Sequence, residues 1–334
     1  MNAETPVCQL LERQGADYRG WLWVAPPRDA WLEAGEGSLL SADEVVLAAW
    51  RARGRAAYSP FEGVEPAPPG AVLFWPKSHA LGEWWLLWLC AHLPPGIPLK
   101  LVGENQGGIK RVLKALAALG LGCRKLDSAR RCGLYATRLA RVGLDPDEAW
   151  TSFEAAGIRL VSHPGVFGHG KLDDGTRLLL GQLPGVLGEG AGDMLGDVLD
   201  MGCGDGILAA WLARRGARVT ALDVGHFAVE ATRRTLAAND LEGEVLASDV
   251  YTALGERRFD AIVSNPPFHQ ERAIDYGPAG RLILEAPDHL HPGGQLILVA
   301  NAFLPYPDLL ERAFGAFEVL ADDRRFRVYR AVKG

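Results

Sequence analysis

The segment VLDMGCGDGILAAWLAR (Val198–Arg214) decides the fold. Its first residues suit a buried strand, glycines follow at 202, 204 and 206, and the chain then takes up helical spacing. Glycine tolerates positive φ and carries no Cβ, so such a turn can be tight and can let a ligand approach the backbone. The helix N-terminus behind it favours a negative group such as a carboxylate. Alone, a glycine-rich turn is a weak signal, and the residues downstream give it weight.

DVLDM, RVTALD, EVLASD, DAIVSN and QLILVA are short apolar runs. Between them lie the helical stretches ILAAWLARRG, HFAVEATRRTLAAND and GRLILEAPDHL, and the chain ends in two β-like runs, FEVLADDRRFRVYRAV. This alternation predicts an α/β fold: five parallel strands with crossover helices and a terminal hairpin, a seven-stranded doubly wound sheet. Asp200, Asp223 and Asp249 fall at the ends of the first three runs, on the side where open α/β sheets bind ligands. Asp223 suits the ribose hydroxyls of a nucleoside, and Asp249 suits an adenine amino group. GxxxxGK[ST] is absent, which argues against a nucleoside triphosphate. Adenosine joined to an amino-acid carboxylate points to S-adenosylmethionine as cofactor.

The fourth run ends in SNPPFHQ (Ser264–Gln270). Two prolines stop the strand and hold the turn in one shape. The Asn265 side-chain oxygen and the Pro266 carbonyl can then both face the cleft as acceptors. Two fixed acceptors suit an exocyclic base amine, whose lone pair is delocalised into the ring. They can favour its pyramidal form, orient it, and stabilise the charge that develops on nitrogen. Phe268 can stack on the base, extruded from any helix it occupies. These residues do not choose the base, because adenine and cytosine carry amino groups of the same kind.

The first half reads as irregular to about residue 70, with tryptophans among helical and turn signals. AVLFW and PLKLVGE then suggest strands, a Trp-rich amphipathic helix is expected near Glu83–His92, and IKRVLKALAALG is helical. KLVGENQGGIKRVLKAL repeats the strand, glycine, helix pattern of the opening segment with no counterpart of NPPF, which fits a duplicated fold with one working copy or two unrelated α/β units. Turn signals in RVGLDPDEAW place the division near residue 147, giving domains 1–147 and 148–334.

Composition narrows the remaining choices. With 48% hydrophobic residues in 334 the chain can bury a large core, and a net charge of −6 gives no global sign of a nucleic-acid binder, so any such role must rest on a local patch. Ten Lys/Arg between Lys100 and Arg141 face only Glu104 and Asp127, a local excess able to meet phosphates. Five cysteines without a CxxC pair and eight scattered histidines suggest no metal site, no disulfide framework and a reducing compartment. The start MNAETPVCQL lacks a leader, and WWLLWLCAHL is too short to span a bilayer. A cytoplasmic monomer with no membrane role is expected.

DMGCGDG, ALDV, ASDV and SNPPFH together resemble the N-methylating class I S-adenosylmethionine-dependent methyltransferases. More narrowly, HPGVFGHGKLDDGTRLLL, VANAFLPYPDLL, WPKSHALGEWWL, LVGENQGGIK and KLDSARRC are similar to the bacterial ribosomal RNA small-subunit methyltransferase C family. That resemblance implies two tandem Rossmann-like methyltransferase domains. The N-terminal one would be degenerate, assisting folding and RNA recognition. It implies methylation of guanine N2 in 16S rRNA, with the assembled small subunit as partner. By position, Asp200, Gly202 and Gly204 would line the methionine part of the cofactor, Asp223 the ribose and Asp249 the adenine, with Phe167 nearby. Asn265, Pro266 and Phe268 would hold the guanine. The motifs leave other readings open: a large-subunit guanine-N2 methyltransferase, a glutamine-amide methyltransferase of proteins, or a non-catalytic ribosome-assembly factor.

Overall fold

The computed structural model describes residues 2–188, 195–266 and 277–334. They form two units, Met1–Trp150 and Thr151–Gly334, dividing just after the turn Pro146–Ala149 in which residue 147 lies.

The N-terminal unit contains α1 (Pro6–Glu12), β1 (Trp21–Val24), α2 (Ala30–Ala34), β2 (Gly37–Leu40), α3 (Glu44–Arg51) and β3 (Ala57–Tyr58). It continues with β4 (Ala71–Phe74), α4 (His79–His92), β5 (Pro98–Glu104), α5 (Val112–Ala118), β6 (Arg124–Ala129) and β7 (Cys132–Arg138). Its seven-stranded sheet runs β3-β2-β1-β4-β5-β7-β6. The segment before residue 70 is therefore not irregular: it supplies three parallel strands. They are four, four and two residues long, too short for a period to show. Nor is α4 a one-faced amphipathic helix. Trp84, Trp85, Leu86, Trp88, Leu89 and Cys90 are all buried, so apolar packing surrounds most of it.

The C-terminal unit opens with a separate antiparallel hairpin, β8 (Thr151–Ala155) and β9 (Ile158–Ser162), which packs on a later helix, α8. Then come α6 (Asp174–Leu187), β10 (Asp197–Met201), α7 (Ile207–Ala213), β11 (Arg218–Asp223), α8 (His226–Ala238), β12 (Glu244–Ala247) and β13 (Phe259–Ser264). The chain ends with α9 (Gly277–Glu285), β14 (Leu290–Asn301), α10 (Tyr306–Phe314), β15 (Glu318–Asp322) and β16 (Phe326–Val332). The sheet order is β12-β11-β10-β13-β14-β16-β15, with β10–β14 parallel and the last two strands an antiparallel hairpin. Leu179, Leu183, Leu208 and Trp211 fill one face, and Tyr251, Ile283, Leu309 and Leu310 fill the other. Because both faces are covered, the strands read as continuous apolar runs. Strand order reverses between β10 and β13, which opens a crevice at their C-terminal ends.

The two sheets share one topology and one register. Ala25 N donates to Leu40 O as Gly202 N donates to Leu222 O, so Leu22, Trp23 and Val24 against Ala71, Val72 and Leu73 match Leu199, Asp200 and Met201 against Ile262, Val263 and Ser264. AVLFW (Ala71–Trp75) thus corresponds to IVSNP (Ile262–Pro266). The counterpart of β5 is β14, not β10, so the internal repeat read from KLVGENQGG joins the wrong pair of strands. Two buried strands followed by Gly turns look alike in sequence whatever their place in the sheet. The end of β13 does have a counterpart, with Phe74 at the position of Asn265, Trp75 at that of Pro266 and Trp23 at that of Asp200.

Trp75 plugs the N-terminal crevice. It is 6% exposed, and a Cβ on Gly82 would stand 2.7 Å from its ring, so this glycine lets the indole seat against α4. Asp29 closes a second gap. From the start of α2 it accepts hydrogen bonds from Thr5 N at 2.8 Å and Thr5 Oγ1 at 2.7 Å, at the start of α1. Trp75→Ala should lower the stability of this unit by about 3–5 kcal/mol, the range for emptying a buried aromatic site, and urea unfolding measures it.

Candidate functional site

Four loops meet the crevice of the C-terminal unit. The first follows β10, where Gly202, Gly204 and Gly206 all have positive φ (79°, 57° and 83°). Their roles differ. A Cβ on Gly206 would lie 2.9 Å from Thr232 Cα, so Gly206 is required by packing against α8. A Cβ on Gly204 would meet nothing within 4 Å among the described residues, and one on Gly202 only Asn265 O at 3.9 Å. These two glycines leave a cradle that side chains would fill.

Asp200 ends β10 fully buried. Its Oδ2 accepts from Ala209 N at 2.9 Å, while Oδ1 is buried with no hydrogen-bond partner among the described residues. Burial pushes its carboxyl up to about 8, and the charges of Asp223 and Asp205 push the same way. Burial also raises Asp205 to about 6 and lifts Asp223 above the usual carboxylate range. Three carboxyls that hold protons this readily suit a cationic ligand group, whose charge would stabilise their ionised forms.

Asp223 shapes the loop as well as facing it. It accepts from Gly225 N at 2.8 Å and from Gly204 N at 3.1 Å, and its own carbonyl accepts from Ser248 N at 2.9 Å. Asp249 does not end a strand: it lies two residues past β12, in the turn stapled by that last bond. Arg281 on α9 pairs with its Oδ1 at 2.5 Å.

Asn265 follows β13, whose last residue, Ser264, donates to Met201 O at 2.7 Å and so ties the two strand ends. The Asn265 amide nitrogen donates to Asp173 Oδ2 at 3.0 Å and to Thr176 Oγ1 at 2.7 Å. Its oxygen, Oδ1, is buried and unpartnered among the described residues. Pro266 is buried, and Phe268 lies outside the described residues. Phe167 stands on the loop between β9 and α6, 74% exposed.

The structure thus brings Asp200, Gly202, Gly204, Asp223 and Asn265 to one crevice, sets Asp249 at its margin, and leaves Phe167 on the surface. Sequence reasoning missed Asp173, Thr176 and Arg281. LDDGT ahead of an apolar run is a helix-capping pattern, and Asp173 does cap α6 by accepting from Thr176 N at 3.1 Å. That local role hides the long-range one.

The two glycine classes should separate experimentally. Gly206→Ala should cost about 2–5 kcal/mol of stability, from strain at positive φ plus overpacking. Gly204→Ala should cost about 1–2 kcal/mol yet weaken cofactor binding more, as thermal unfolding and calorimetry with S-adenosylmethionine would show.

Residues 157–330 match the family model described as methyltransferase small domain, and residues 65–152 match its N-terminal companion. The ribosomal RNA small subunit methyltransferase C of Chromohalobacter salexigens is 68% identical over 334 residues, covering 100% of this chain and 99% of the relative. The protein of that name from Pseudomonas aeruginosa is 49% identical over 277 residues, 79% of this chain and 80% of the relative. Among solved structures, the T. thermophilus 16S rRNA N2 G1207 methyltransferase in complex with AdoMet and guanosine aligns with a TM-score of 0.85. It is 30% identical and covers 99% of this chain and 92% of its own. With kinship running through both units and through the crevice itself, the chain belongs to the ribosomal RNA small subunit methyltransferase C family.

Proposed function

We propose that this protein methylates the exocyclic N2 amine of a guanine in 16S rRNA, using S-adenosylmethionine and acting on the small ribosomal subunit. The observation that carries the chemistry is the buried Asn265 Oδ1, unpartnered among the described residues, beside the cradle of Gly202. The guanine and the 16S RNA come from kinship with the small subunit methyltransferases, one of which was solved with AdoMet and guanosine.

S-adenosylmethionine supplies an electrophilic methyl group on a sulfonium. The cradle fits it: Gly202 and Gly204 leave room for the methionine part, and Asp200 Oδ1 would meet its ammonium group. Asp223 would accept from the ribose hydroxyls, since each carboxylate oxygen has a lone pair beyond its loop bond. Asp249 would accept from the adenine amine at the margin. Asn265 Oδ1 and the Pro266 carbonyl would accept from the guanine amine, hold it pyramidal, and stabilise the charge that develops on nitrogen. Phe268 would stack on the base. The prolines aim the acceptors in advance, so little reorganisation accompanies reaction.

The N-terminal unit would dock RNA. Lys110, Arg111, Lys114, Arg130 and Arg131 are exposed, and Asn105 N donates to Arg131 O at 2.7 Å, joining the loop after β5 to the β6–β7 tip. Lys100 does not belong to this surface. Burial lowers its proton affinity, and its ammonium bonds Tyr18 OH at 2.9 Å over the Tyr18 ring.

Labelled S-adenosylmethionine incubated with small subunits, large subunits and naked RNAs tests the function, followed by mapping of the labelled nucleoside. N2-methylguanosine in 16S RNA is expected, and label elsewhere would overturn the proposal. Asn265→Ala should lower the rate about 10²–10³-fold while cofactor binding stays near that of the parent. Association with RNA should weaken steeply with salt. Replacing Arg130 and Arg131 by Ala should flatten that dependence by roughly 0.7–0.9 in log–log slope for each lost phosphate contact.

A further inference from the structure

The Asn265 amide has two ends, and the described residues use only one of them. Both nitrogen hydrogens have acceptors, Asp173 Oδ2 and Thr176 Oγ1, in residues 92 and 89 positions earlier in the chain. The oxygen is left for something else. Turning the amide over would set its oxygen against a carboxylate, which only accepts, and would leave only the Thr176 hydroxyl able to bond it, by donating. The partner residues are themselves held. Asp173 Oδ2 accepts from Thr176 N at 3.1 Å, and a Cβ on Gly175 would lie only 3.0 Å from that oxygen. Asp174, the next residue, pairs with Arg325 at 2.9 Å, on the turn between β15 and β16. Thr176 is 6% exposed, so little water can replace its hydroxyl.

We propose that Asp173 and Thr176 are positioning residues for the transfer: they lock the amide so that only an acceptor faces the crevice. The site then welcomes an N–H donor and refuses a carbonyl edge, which selects the amine of the base. This rests on the functional reading above. Neither residue needs to touch base or cofactor. The lock also explains why position 265 carries Asn and not Asp. A carboxylate there would stand against Asp173 at hydrogen-bond distance with no proton between them.

The test uses full-length protein, small subunits and labelled S-adenosylmethionine, with initial rates at varied subunit concentration and cofactor affinity by calorimetry. Thr176→Val keeps the shape and removes the acceptor. Its kcat should fall roughly 10–100-fold, the scale of a small misplacement at a reacting centre. KM for subunits and Kd for the cofactor should stay within about threefold, and Thr176→Ser should recover most of the rate. A merely structural hydroxyl would lower the melting temperature and leave the kcat of the folded protein unchanged; that result would overturn the proposal. The second arm starts from Asn265→Asp, expected to be inactive. Adding Asp173→Asn removes the opposing charge and offers an NH₂ group to the new carboxylate, giving up the Oδ2 bond to Thr176 N, so the double variant, shown folded by its melting curve, should regain at least tenfold over Asn265→Asp. No gain would equally overturn the lock. Wild-type protein that leaves guanine unmethylated sinks the functional reading and this inference with it, whereas wild-type transfer with an unimpaired Thr176→Val sinks only the lock.

Discussion

The reversal of strand order between β10 and β13 is the constraint on which the site depends. Helices leaving two neighbouring parallel strands in opposite directions cannot cover the gap between the strand ends, so a crevice remains there. The sheet then shapes its rim without help from a ligand. Gly202 N and Cys203 N both donate to Leu222 O, at 2.8 and 2.9 Å, so β11 holds the loop that follows β10. Ser264 donates to Met201 O and fixes β13 to the same level. The acceptors at Asp200 and Asn265 are therefore in place before anything binds, which is what electrostatic preorganisation requires.

The C-terminal unit was legible in sequence because its parallel strands are buried on both faces and read as unbroken apolar runs. The glycine loop, Asp223 and Asn265 followed from strand ends and spacing. The N-terminal unit resisted because β3 has two residues and β1 and β2 have four, less than a period can reveal. Its aromatic residues obscured the repeat further: Phe74 in place of Asn265 looks like core packing, and it is. Asp173 and Thr176 were illegible as site residues because capping explains them locally, while their bonds to Asn265 span the sheet. Lys100 was misplaced because charge counting cannot see a lysine laid over Tyr18. Asp249 was assigned to a strand end that the structure moves two residues upstream, into a turn where Val250 has a φ of 52°.

The two units show what the same ladder does with and without acceptors at its open end. In the C-terminal unit two buried oxygens, Asp200 Oδ1 and Asn265 Oδ1, have no partner among the described residues. Each costs about 1–3 kcal/mol while it stays unpaired, and a ligand bringing N–H donors would recover that energy on binding. At the matching positions the N-terminal unit has Trp23, which leaves only an indole N–H unpaired among the described residues, and Phe74, which has no side-chain polar atom. Asp29 adds a carboxylate whose oxygens are taken by Glu4, Thr5 and Trp31. One crevice is thus filled and stitched, and the other is held open at a cost in stability. Unpaired buried acceptors persist where function uses them. Their presence in one copy and replacement in the other is the physical argument, independent of kinship, for proposing that the chemistry lies in the C-terminal unit.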